Sequence, residues 1–185
     1  MLFRSYLPEL WRDDLDVRPP WLLSDWTALA KLIVENTGCG IAVVGADWAE
    51  DREYAALFVD QWTREGGDPA LVVNKCGGTH VAEAYRIAMR GKCLFSYQSG
   101  IGIGSVYLNV PTACFWRAKG DSTEAPPGGR EDNPGLQYVS FDEGMASAWA
   151  PPGSLASRRY MPLIYGRQTP ATMFADAVSR NWFSR

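Results

Sequence analysis

Four short apolar runs, each closed by small or polar residues, constrain this chain more than any other feature. They are "GIAVVG" (40–45), "ALVVNK" (70–75), "KCLFSY" (92–97) and "TACFWR" (112–117). Runs of this length, bounded by turn residues and rich in β-branched and aromatic side chains, read as strands. Their apolar residues are consecutive rather than alternating, which predicts strands covered on both faces. Helix-period segments lie between them. "SDWTALAKLIVENTG" sets Trp26, Leu29, Ala30, Ile33 and Val34 on one stripe, with Ser24 as the predicted N-cap and Gly38 as the stop. "DWAEDREYAALFVDQWTREGG" repeats the spacing at Tyr54, Leu57, Phe58 and Trp62 and ends on Gly66 and Gly67. "THVAEAYRIAMRG" starts at Thr79, a predicted N-cap, and "GIGSVYLN" is a short helix. Strand and helix in strict alternation predict an α/β chain, a Rossmann-like three-layer domain around a mostly parallel sheet.

The flanks are less regular. Residues 1–20 carry Pro8, Pro19, Pro20 and the acidic residues Asp13, Asp14 and Asp16, and read as an irregular arm before a domain over 21–185. After Arg117 the polar, Pro- and Gly-rich stretch 118–135 reads as a long loop. "LQYVSF" (136–141) is the expected last edge strand. "TPATMFADAVSRNWF" predicts a closing helix over 170–183, with Pro170 in its first turn and Phe174, Val178 and Phe183 facing inward.

Composition narrows the function classes. A chain of 185 residues can bury the core of one domain. A net charge of -3 offers no basic surface for nucleic acid or an anionic membrane. No run approaches the ~20 apolar residues of a membrane span. Charge interrupts the apolar residues of "MLFRSYLPELWRDD" at once, unlike a signal peptide. The expected location is the cytoplasm. Cys39, Cys76, Cys93 and Cys114 form no CxxC pair, and His80 is the single histidine, so reduced, packed thiols are expected and a zinc set is not.

In an open parallel sheet, ligands sit outside the carboxyl ends of the strands. The residues at those ends are Gly45–Asp47, Asn74–Thr79, Tyr97–Gly100 and Trp116–Arg117. The third, "YQSGIGIGSVYLNVP", is the most suggestive. A strand, then Ser99, then glycines opening a helix leave backbone N–H groups at a positive helix end. Ser99 can cap that end and touch a phosphate, while Gly100 and Gly102 let the phosphate approach the backbone. The same glycines can instead serve only close packing of helix on strand. No GK[ST] follows and the spacing is not GxGxxG, so neither nucleotide fingerprint is present and no cofactor is implied. Lys75 and Thr79 form a second candidate, although a strand-end lysine is also an ordinary solvated residue. Asp47 fits an N-cap as well as a ligand contact, and Trp116 fits packing as well as stacking on a base. No nucleophile–base pair stands out, so the residues favour a binding site over a catalytic one.

Taken in order, these motifs resemble the C-terminal half of heptosyltransferase-like glycosyltransferases of the GT-B architecture. The matching segments are "PPWLLSDWTALAKLI", "AVVGADWAEDREYA", "GGTHVAEAYRIAMRG" and "YQSGIGIGSVYLNVPTACFW", from about Pro20 to Arg117. The resemblance implies that Ser99, Gly100, Ile101 and Gly102 hold the diphosphate of a nucleotide sugar or nucleoside diphosphate. In the family the loop after the strand that here ends at Trp116 lies near the nucleotide, which adds Trp116 and Arg117; Lys75, Thr79 and Asp47, read from the neighbouring strand ends, complete the candidate substrate-binding set with Gln98. Gln98 stands where the family has Asp, and Ile103 where it has His. The family's catalytic base and acceptor site lie in an N-terminal domain that this chain has no room for, so its catalytic residues are not assigned. Two functions compete. One is a nucleotide-sugar-binding glycosyltransferase half that needs a second domain or subunit, a homo-oligomer among the options. The other is a non-catalytic binding or assembly module that keeps the half-fold, with Trp11, Trp21, Trp149 and Trp182 in regions where a partner could dock.

Overall fold

A computed structural model describes residues 21–45, 47, 49–97, 100–116, 160–164 and 169–184. The expected arm (1–20), loop (118–135) and edge strand (136–141) lie outside the described residues. The chain is mixed α/β, built from helices and short parallel strand pairs.

Helix α1 spans Leu23–Thr37 and buries Trp26, Leu29, Ala30 and Ile33, most of the predicted stripe. The buried Thr27 hydroxyl donates to the Leu23 carbonyl at 2.9 Å, so its polarity is satisfied within the helix. Gly38 ends the helix at φ 69°, and its N–H donates to the Val34 carbonyl. The start differs from expectation. Leu22, not Ser24, is the N-cap, because the Asp25 carboxylate reaches back to accept from the Leu22 N–H at 2.8 Å. An acidic residue in the first turn also complements the positive helix end.

Strand β1 (Ile41–Val43) pairs in parallel with β2 (Val72–Asn74), with Ile41 opposite Val72 and Val43 opposite Asn74. The crossover between them is helix α2 (Ala49–Arg64). It buries Ala55, Phe58 and Trp62, whereas Leu57 is exposed, contrary to the predicted stripe. Trp62 ends this helix on a close contact. Its Nε1–H donates to the Asp68 carbonyl at 2.9 Å, and a Cβ on Gly67 would run into its indole ring. Gly66, at φ 84°, makes the preceding turn.

β2 corrects a second expectation. Val72 is half-buried, but Val73 is 47% exposed and Asn74 is exposed, so this strand is not covered on both faces. Among the described residues it pairs on one side only, with β1, and an apolar run there is tolerated without full burial.

The second sheet has three parallel strands, β3 (Leu94–Tyr97), β4 (Thr112–Trp116) and β5 (Tyr160–Ile164), in the order β3-β4-β5. Helix α3 (Val81–Arg90) precedes β3, and helix α4 (Gly100–Tyr107) links β3 to β4. β5 was not expected at 160–164. Its Pro162, opposite Cys114, removes a ladder donor and masks the strand pattern; at the end of the sheet that loss is tolerated.

Helix α5 (Pro170–Ser179) closes the described fold. Thr169 caps it reciprocally with Thr172: its hydroxyl accepts from the Thr172 N–H at 3.2 Å, and its own N–H donates to Thr172 Oγ1 at 2.9 Å. The helix is shorter than the expected 170–183, and its inward face is shifted by one residue. Met173 and Ala177 are buried while Val178 is 47% exposed. Phe174 and Phe183 are half-buried against each other, with ring centroids 5.7 Å apart.

Two apolar clusters hold these elements. One joins α1, α2 and α5 to Val43, Phe95 and Ala113. The other joins α3 and α4 to Val44 and Leu94. Val43 and Val44, at and just after the end of β1, and Phe95 and Leu94 of β3 therefore go to different clusters, as the pleat requires.

Candidate functional site

The loops after β1 and β2 come together first. Arg52 Nη1 pairs with Asp47 Oδ1 at 3.1 Å, with both side chains more than half exposed. Gly77, at φ 72°, lies under the Arg52 side chain, and a Cβ there would approach Arg52 Cγ at 2.6 Å and Asp47 Oδ1 at 3.1 Å. A left-handed, side-chain-free residue is what lets the two loops meet. Asp47 is paired with Arg52, whose place next to it sequence reasoning missed.

The Asn74–Thr79 turn is bonded within itself. The Lys75 N–H donates to the Val43 carbonyl at 2.8 Å, extending the β1–β2 ladder. Asn74 Oδ1 accepts from the Cys76 N–H at 2.9 Å, and Thr79 Oγ1 donates to the Lys75 carbonyl at 3.2 Å. Thr79 is thus not the helix cap expected of it. His80 is the N-cap of α3 and makes no side-chain cap bond, while the Thr79 hydroxyl is turned back to close the loop. Lys75 is exposed. Asp51, on the first turn of α2, is 2% exposed. Burial and the nearby Asp51 charge push the Cys76 thiol up to about 11, against the opposing effect of Arg52.

The glycine-rich stretch after β3 divides into residues of different kinds. Gly100 opens α4, is exposed, and has nothing within 4 Å of where a Cβ would stand. Ile101 is half-buried and packs with the α3–α4 cluster, and Gly102 is buried. Gly104 faces Tyr85 of α3, whose ring occupies the space a Cβ would need. The Tyr85 hydroxyl donates to the Gly100 carbonyl at 2.8 Å. The glycines are not equivalent: Gly104 is packed against Tyr85, and Gly100 stands exposed at the start of the helix. Tyr85, which ties that start to α3, was not singled out from the sequence. It lies fifteen positions from Gly100, outside any motif window.

Of the other expected site residues, Gln98, Ser99 and Arg117 lie outside the described residues, and Trp116 is described only as the last residue of β4, opposite Ile164. Among the described residues, no hydrogen bond or ion pair links Asp47 or Lys75 to the start of α4. Cys39, Cys76 and Cys93 are free thiols, and burial pushes Cys93 up to about 12. No helix among the described residues is long and apolar enough to cross a membrane.

Comparison with known proteins adds no constraint to this geometry: no family model, no curated protein and no solved structure matches the chain.

Proposed function

We propose that this chain binds the diphosphate of a nucleotide sugar at the start of α4, and that it is the nucleotide-sugar half of a glycosyltransferase. The observation that carries the reading is Gly100. It follows the carboxyl end of a parallel strand, begins a helix, is exposed, and leaves room for an anion beside the backbone. First-turn N–H groups and the positive end of the helix dipole favour a phosphate there. The Tyr85–Gly100 hydrogen bond would hold the turn in place before ligand arrives.

The two sheets are, in this reading, parts of one doubly wound Rossmann-like sheet in the order β2-β1-β3-β4-β5. Two observations support it: β1 and β3 share both apolar clusters, and α1, α2 and α5 join one cluster while α3 and α4 join the other. The order reverses between β1 and β3, which puts the switch-point crevice beside the starts of α2 and α4. Transfer would be displacement at the anomeric carbon. The bond to the diphosphate oxygen breaks as the acceptor oxygen bonds, and the acceptor proton passes to a base on a second domain or subunit. The helix start would take up the charge developing on the diphosphate.

Calorimetric titration with a panel of nucleoside diphosphates and nucleotide sugars tests the proposal. Saturable binding to at least one is expected, abolished by Gly100→Trp. A folded sample that binds none of them contradicts it. A second reading, an assembly module without turnover, draws on the exposed Val73 of β2 and the exposed Val81 and Met89 of α3. Sedimentation showing a strict monomer, together with measurable glycosyl transfer, would exclude that reading.

A further inference from the structure

A cavity lies away from the start of α4. Its volume is about 280 Å³, and it opens between the turn that leads from α1 into β1 and the turn that leads from α3 into β3. Gly40 and Cys93, which line it, immediately precede β1 and β3, so it reaches the amino ends of these strands. The proposed diphosphate seat is at the carboxyl end of β3. The wall is largely aliphatic and aromatic, with Ile33, Ile41, Val44, Ile87, Leu94 and Phe95 in it.

Among the described residues, the charged side chains that line this cavity carry one sign. Arg90 and Lys92 line it from either side of Gly91, in the same turn, and among the described residues no Asp or Glu lines it. Neither cation makes an ion pair among the described residues; the pairs there are Lys31–Glu65 and Asp47–Arg52. Arg90 complements the carbonyl end of α3, which accounts for a positive charge in that turn. It does not account for a half-buried Lys92 two residues later, beside an apolar wall. A lysine so placed lays its stem along apolar surface and presents its ammonium at the edge.

We propose that this cavity binds a small amphiphilic monoanion, a medium-chain carboxylate, with the alkyl tail against the apolar wall and the carboxylate between Arg90 and Lys92. A cavity of about 280 Å³ lies just below the usual range for small-molecule pockets. It admits a short alkyl chain and excludes a nucleotide sugar. The proposal is independent of the diphosphate reading.

Ligand-observed NMR and calorimetry with octanoate, octanamide and octylamine on the full chain test it. Octanoate is expected to bind with a dissociation constant of roughly millimolar or tighter, while octylamine does not bind. Lys92→Met should weaken octanoate about ten-fold and leave octanamide unchanged, since it removes a charge-assisted contact and keeps the stem. Arg90→Glu, a second variant at an exposed position, should weaken octanoate at least as much. Raising salt should weaken octanoate and spare octanamide. The proposal is overturned if octanoate does not bind, if octylamine binds as well as octanoate, or if neither charge variant changes octanoate affinity. Competition between octanoate and a bound nucleoside diphosphate would also overturn it, because the two sites would then be one.

Discussion

Replacing Gly104 by alanine should destabilise the chain, although alanine is the better helix former. The added Cβ would stand 2.7 Å from Tyr85 Cζ and 2.8 Å from Cε1, and closer still to the hydroxyl oxygen. Carbon atoms pack at roughly 3.5–4.0 Å, so the ring must move by about 1 Å. That movement breaks the Tyr85–Gly100 hydrogen bond, worth about 1 kcal/mol, and adds about 1 kcal/mol of overpacking, the lower end of the usual range because a tyrosine ring can swing. Against this, Gly→Ala in a helix contributes about 1 kcal/mol. The net cost in the natural chain is about 1 kcal/mol. In a Tyr85→Ala background the clash is gone, and the same substitution should stabilise by about 1 kcal/mol. Urea unfolding followed by tryptophan fluorescence, on the single and double variants, measures both. The sign should reverse, with a coupling of about 2 kcal/mol. An effect of Gly104→Ala that is the same in both backgrounds would refute the claim that Tyr85 is what requires glycine there.

Other consequences follow from single contacts. Gly67→Ala should cost about 3 kcal/mol in the same assay, because its Cβ would overlap the buried, hydrogen-bonded Trp62 indole, which cannot swing away. The Cys76 thiol, held up to about 11, should be alkylated slowly by iodoacetamide at pH 8 compared with a free thiol, accelerating only as the pH approaches 11; fast labelling at pH 8 would contradict the burial described. Because folding raises the Cys76 value above its ordinary 9, the folded chain binds that proton more tightly, so its contribution to stability is present below about pH 9 and is lost as pH rises towards 11. The 2.7 Å Lys31–Glu65 pair is partly exposed, so Lys31→Ala should cost about 0.2–1 kcal/mol, and less at high salt.

Much of the local structure was legible because it rests on local physics. The α1 stripe and the Gly38 stop come from a helical period and a residue free to adopt positive φ, both visible in sequence. The misses are tertiary. Val73 has the composition of a buried strand, yet its exposure depends on what covers β2, which no window of sequence contains. Pro162 looks like a breaker until β5 is placed at the end of its sheet. Val178 and Ala177 differ by one step around a helix, and it is the smaller residue that faces the core, in the cluster with Met173 and Trp182. At the candidate site, the glycines of α4 read as one motif in sequence. Tyr85 separates them into a packing residue and an open helix start, and only the fold brings Tyr85 there.

The central claim is that the start of α4 receives a diphosphate. Amide chemical shifts of Gly100, Ile101 and Gly102, followed as UDP and ADP are added to the folded chain, test it most directly. The account predicts saturable shifts centred on these residues, lost in Gly100→Trp while the remaining spectrum is retained. Shifts centred on Arg90 and Lys92, or no saturable shift with either nucleotide, would contradict it.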